Sequence, residues 1–132
     1  MAGRGQGIVI RDAHFPGRAP IEAYGDGGFR FAGMSHRGSI LCVPSGIYGF
    51  QATSASELDT AALEKVFEEA ADIEVLLVGT GEGLVPLKRE LREAVRAAAI
   101  MADPMSTGAA ARTHNGLLSE DRAVAAVWRA VG

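Results

Sequence analysis

The sequence predicts an α/β layered domain with a central mixed β-sheet, covering helices and an N-terminal β-hairpin extension. Three observations carry this. Short alternating runs fill the first half of the chain, helical periodicity begins near residue 60, and nearly continuous apolar runs at 73–78 and 123–128 lie among the helical stretches. Strands first, followed by helices alternating with buried strands, give such layers. The 132 residues suit a single domain spanning 1–132 with a real hydrophobic core. Residues 1–15 are expected to be a less ordered N-terminal segment.

Taken in order, Ile21-Glu22-Ala23-Tyr24 and Phe29-Arg30-Phe31-Ala32 both alternate, and Gly25-Asp26-Gly27-Gly28 between them is turn chemistry, so they form a hairpin. Its alternating hydrophobics leave an edge able to pair with another copy, which makes a homodimer an expectation. After a turn at His36-Arg37-Gly38, Ser39–Val43 reads as a strand closed by Pro44, and 47–50 as a short strand or edge segment. Ser56 or Asp59-Thr60 caps a first helix, whose Leu63, Val66, Phe67 and Ala70 recur at helical spacing.

Residues 73–78 suit a strand buried on both faces. Pro86 then opens a second helix at its favoured first position, with Leu87, Leu91, Ala94, Val95 and Ala98 inward. Asp103-Pro104 breaks it. Ser106 or Thr107 caps a third helix, which Gly116 is expected to end early, near Asn115. The last strand, 122–128, sets Val124, Ala126 and Trp128 on one face and Ala125 and Val127 on the other.

Composition narrows the function classes. Net charge is −3, and only Lys65 and Lys88 of thirteen basic residues are lysines. Without a clustered basic run, nucleic acid is not an expected partner. The arginine and alanine bias reads as a genomic base-composition effect. Cys42, the sole cysteine, sits in the apolar run 40–43 and reads as a small buried hydrophobe. Ile8-Val9-Ile10 is too short for a signal core or a membrane span, so a cytoplasmic protein without membrane insertion is expected.

Two places hold candidate chemistry. Gly79-Thr80-Gly81 between a strand and a helix can turn backbone N–H groups toward an anion, or can be a tight turn that packs helix on strand. It has neither dinucleotide spacing nor a Walker lysine. In the second place, Ser106 and Thr107 open a small-residue helix carrying Arg112. That arginine is either held by Glu120 or Asp121 or left to grip a carboxylate or phosphate. His114 and Asn115 follow it. His14, His36 and His114 have no metal-ligand spacing, no hydrolase elbow is present, and no metal or cofactor is implied.

The block Met105–Trp128, together with Leu76–Gly81, resembles the signature of domain-of-unknown-function family 498. Met105, Thr107, Arg112, Thr113, Asn115 and Glu120 are among the matching positions, within a resemblance running from about Ile21 to Val127. His114 replaces the usual tyrosine, Ala111 the common cysteine and Gly116 a branched apolar residue; Ser106 stands where an aspartate is frequent and Asp121 where a glycine is. The resemblance implies a compact α/β domain. It also implies kinship with a mitochondrial factor that builds respiratory complex I with a partner protein, whereas bacterial and archaeal members have no settled activity.

These readings rank a non-enzymatic protein-interaction or assembly factor first, docking a protein partner on the Thr107–Glu120 surface or the hairpin edge. A protein binding a small anionic or nucleotide-like ligand comes second, with Gly79, Thr80, Gly81, Ser106, Thr107 and Arg112 as its site. An enzyme comes last, with Arg112 orienting an anionic substrate while His114 or Glu120 moves a proton.

Overall fold

A computed structural model describes residues 10–50, 58–60 and 62–131. Its six-stranded sheet runs β1 (Ile10–Phe15), β6 (Gly46–Phe50), β5 (Ser39–Val43), β9 (Val124–Trp128), β7 (Val75–Gly79) and β8 (Met101–Met105). From β1 to β9 the neighbours are antiparallel; β9, β7 and β8 are parallel, which makes the sheet mixed. A second, antiparallel sheet contains β2 (Ile21–Gly25), β3 (Gly28–Phe31) and β4 (Met34–Arg37). Of the segment expected to lack order, 10–15 is an edge strand paired with β6; Ser56 lies outside the described residues.

Strand alternation divides the core in two. Leu41, Val43, Leu76, Val78, Ala125 and Val127 face α1 (Glu64–Glu68) and α2 (Arg89–Ala97), where Val66, Leu91 and Val95 are buried. Ile40, Cys42, Leu77, Ala126 and Trp128 face α3 (Thr107–Ser119) and the small sheet, which brings Phe29 and Phe31. The molecule is therefore layered, with the main sheet between α1 and α2 on one face and α3 and the small sheet on the other. Each fully buried Leu, Val or Phe contributes about 1.5–3 kcal/mol relative to exposure.

The hairpin turn is as read. Asp26 and Gly27 have φ of 52° and 78°, the paired left-handed geometry that joins two twisted strands through two residues. A second such turn at Ala32-Gly33, φ 50° and 73°, adds β4. Alanine seldom adopts this conformation, so the sequence read Ala32 as strand, and His36 and Arg37 as turn instead of β4. In consequence the outer side of β3 is occupied.

Other boundaries differ for physical reasons. The first helix is only 64–68, followed by a 3₁₀ turn at 70–72; the Asp59 carboxylate accepts from the Ala62 N–H at 2.9 Å, one turn ahead of it. Pro86 does not open α2, which starts at Arg89 after an extended Lys88. Asp103-Pro104 ends no helix but lies inside β8. Parallel pairing sends the groups of Met101 and Met105 to β7, with Met101 N–H to Glu74 O at 3.0 Å and Thr80 N–H to Met105 O at 2.9 Å. Alternation then turns Pro104 outward on an edge strand, where its missing N–H costs no ladder bond. Finally, α3 continues past Gly116 to Ser119.

Candidate functional site

The glycine turn and the start of α3 do meet, but through their own hydrogen bonds. Thr80 N–H donates to the Met105 carbonyl, and Gly81 N–H donates to Thr107 Oγ1 at 3.1 Å. Thr107 N–H returns to the Gly81 carbonyl at 2.8 Å, while its hydroxyl donates to the Arg129 carbonyl at 2.8 Å. The Thr80 hydroxyl donates to the Gly83 carbonyl at 2.6 Å and accepts from Val85 N–H at 3.0 Å. Both threonines are buried. Satisfying buried polar groups in this way is what a well-made turn requires.

Gly79 shows why the turn needs glycine. A Cβ there would stand 2.5 Å from Trp128 Cδ1 and 3.1 Å from Thr107 Cα. The Arg129 guanidinium lies against Gly81 and donates to the Thr80 carbonyl at 3.2 Å. Sequence reasoning missed Arg129, because nothing in a local pattern links it to a turn 49 residues away. Of the two readings of this turn, close packing of helix and strand is the one the bonds describe. The Thr80 and Gly81 amides point into the fold.

Beside that junction a crevice of about 330 Å³ is lined by Tyr24, Gly81, Glu82, Ser106, Gly108, Ala109, Arg112 and Val131. Ser106 caps α3, its side chain accepting from Ala109 N–H at 3.3 Å. Arg112 is exposed and has no ion-pair partner among the described residues. Neither Glu120 nor Asp121 holds it. Glu120 lies eight residues further on, about 12 Å along the axis at 1.5 Å per residue. Tyr24 packs its hydroxyl on Gly108, where a side chain would have to displace the tyrosine.

His114 and Asn115 belong to another face. His114 is buried, with its ring edge-on to Trp128 at 4.9 Å between centroids. Burial lowers its pKa and nearby Arg18 lowers it further, against the opposing effect of the hydrogen bond its Nδ1 makes to Asn115 Oδ1. Asn115 clamps β2: its Oδ1 accepts from Ile21 N–H and its Nδ2 donates to Ile21 O, both at 2.8 Å. Residues two apart on a helix point away from each other, so Arg112 and His114 share no site, and Glu120 joins neither.

Burial pushes the Cys42 thiol far above its ordinary range, so it is held as an uncharged apolar group. Among the described residues no cluster of three metal-ligating side chains occurs, and no helix is long and apolar enough to cross a membrane. Trp128 Nε1 is buried without a hydrogen-bond partner among the described residues.

Most of the exposed large hydrophobic residues among those described lie elsewhere. Leu84, Val85 and Met101 are 65%, 40% and 72% exposed, three of the five exposed large hydrophobic residues among those described. Leu84 and Val85 line a crevice with Thr80, Gly83, Arg129 and Val131, and Pro86, next in the chain, lines a groove of about 530 Å³ between α2 and β8. It is lined by Pro86, Leu87, Val95, Ile100, Met101, Ala102 and Pro104, with Arg92 and Arg96 beside them. The sequence reading placed Leu87 and Val95 in the helix core and gave this edge no role.

Comparison with known proteins agrees with the fold and the signature. The chain is 39% identical over 119 residues to an uncharacterized protein of Rhodobacter capsulatus, covering 90% of each. A crystal structure from Bartonella henselae, described as an outer membrane protein, is 59% identical with a TM-score of 0.88, covering 90% of this chain and all of that one. The solution structure of the Rpa2829 protein from Rhodopseudomonas palustris is 42% identical with a TM-score of 0.78, covering 100% of this chain and 93% of its own. The pattern of the DUF498/DUF598 proteins of unknown function matches residues 21–128, so the chain belongs to that family.

Proposed function

We propose that this protein is a non-enzymatic protein-interaction or assembly factor. The observation that carries the reading is the exposed apolar surface at Leu84, Val85 and Met101 together with the apolar lining of the α2–β8 groove. Exposed apolar surface gathered at one edge is characteristic of a docking site, whereas single scattered residues need no explanation. The outward face of α3, with Arg112, Thr113, Gly116, Ser119 and Glu120 exposed, is polar by comparison. The resemblance to a factor that builds respiratory complex I with a partner protein points the same way, as an analogy of family.

The test is size-exclusion chromatography with light scattering on protein isolated from native extract, comparing wild type with a Leu84→Asp/Met101→Asp variant. A fixed-ratio complex formed by wild type and lost in a variant with unchanged circular dichroism supports the reading. Monomer alone in both samples overturns it.

Binding of a small anionic ligand is the second reading, and a specific feature favours it: Arg112 lines the α3 crevice without an internal ion pair. Its site is that crevice, since the glycine-turn amides are committed elsewhere. Stabilisation by inorganic phosphate or a dicarboxylate in thermal unfolding, lost in Arg112→Ala, supports it. A flat response across both probes rejects it.

A further inference from the structure

We infer that the groove between α2 and β8 docks an acidic, apolar segment of a partner protein, received by side-chain packing and not by strand addition. The inference rests on the protein-interaction reading and adds the chemistry of the partner. Its apolar part follows from the floor: exposed Pro86 and half-buried Leu87, Ala102 and Pro104 present carbon to the groove, above Val95 and Ile100 of the core. Burying such a floor against apolar side chains is the favourable term in association.

The charge follows from the rim. Arg92 and Arg96 are exposed, one helical turn apart on α2, and both line the groove. Neither forms an ion pair among the described residues, whereas Glu93 between them is paired with Arg89 at 3.5 Å. Asp103 alternates away from Ala102 and Pro104 along β8. Ala102 packs toward the α1 and α2 side and Met105 toward the α3 side, in keeping with that alternation. The rim is thus left cationic, and a partner carrying carboxylates beside its apolar residues is its complement.

Backbone geometry decides how the segment binds. Met101, Asp103 and Met105 direct their peptide groups to β7, so Ala102 and Pro104 face outward, and proline has no N–H to offer. An added strand would find a single donor, at Ala102. Proline on an edge is one of the standard ways in which sheets resist strand addition. A second copy of this chain is also the wrong occupant in a two-fold contact. Such symmetry places the same patch on both sides, so the cationic rims of both copies would be brought into one contact.

The experiment places a photo-crosslinking p-benzoylphenylalanine at position 86, an exposed residue of the groove lining, and separately at position 113 on the outward face of α3, in the full chain in native extract. Cross-linked segments are sequenced by mass spectrometry. We expect position 86 to capture a segment of another protein rich in apolar residues and Asp or Glu. Its yield should fall about threefold to tenfold in R92Q/R96Q, the range set by two exposed ion pairs, and should fall also with added salt. Circular dichroism of R92Q/R96Q checks that the fold is unchanged. A basic or uncharged segment, a second copy of this chain, or a yield indifferent to R92Q/R96Q overturns the inference. Capture at 113 but not at 86 overturns it while leaving the protein-interaction reading intact; capture at neither position defeats both.

Discussion

Thr107 joins three segments that are far apart in sequence through one buried hydroxyl, which accepts from Gly81 N–H and donates to the Arg129 carbonyl. Thr107→Val keeps the shape, takes the acceptor from the buried Gly81 N–H and removes the bond to the Arg129 carbonyl. Unmet buried groups cost about 1–3 kcal/mol, so chemical denaturation should show a loss of that size; an unchanged midpoint would remove the hydroxyl from the account. His114 gives a pH signature. Its folded pKa lies below the ordinary 6.5, chiefly through burial, so the unfolded chain takes up the proton first as pH falls. Stability attributable to this ring is therefore complete above 6.5 and declines as pH drops from there through the lower folded value. His114→Phe keeps a ring against Trp128 and removes the titration. The stability of wild type relative to this variant should fall across that window, and parallel curves would contradict the assignment.

Among the elements, α3 shows what a local pattern reveals and what it leaves out. Its start was legible, because Ser106 is a strong capping residue and its side chain does bond Ala109 N–H. Its end was not. Glycine at 116 argued for termination, yet Asn115 is fixed to Ile21 of β2 and Leu117 and Leu118 pack on the core that contains Trp128, and these tertiary contacts carry the helix through. The glycine there is a cost without a steric purpose, since a Cβ at Gly116 meets nothing within 4 Å. Gly116→Ala should therefore stabilise the protein by about 0.5–1 kcal/mol in denaturant titration; a destabilised variant would mean that this face of α3 is covered. The same distinction explains β8. Pro104 reads locally as a break, and only its place at the sheet edge, a property of the whole topology, makes it compatible with a strand.

At the scale of the molecule, strands covered on both faces were the legible ones: 73–78 and 123–128 gave β7 and β9 because helices or a second sheet bury both their sides. The candidate site was less legible. Arg112 and Ser106 do share a crevice, but Tyr24, Glu82 and Val131 reach it from distant parts of the chain, and the bonds closing the glycine turn join residues 22 to 49 positions apart. Long-range closure of this kind also bears on cooperativity. Trp128, the only tryptophan, is in the main sheet, yet its ring lies 5.9 Å from that of Phe29 in the small sheet and against His114 of α3. If the small sheet were an independent unit, its release would expose Trp128 before the main sheet melted. Because Phe29, Phe31 and Ile21 share one buried cluster with Trp128, Ile40 and Leu77, losing the small sheet strips the cover from that core. Tryptophan fluorescence and far-ultraviolet circular dichroism should then report coincident unfolding midpoints, as a two-state domain requires. A fluorescence midpoint at lower denaturant would separate the layers and make the small sheet a detachable subdomain.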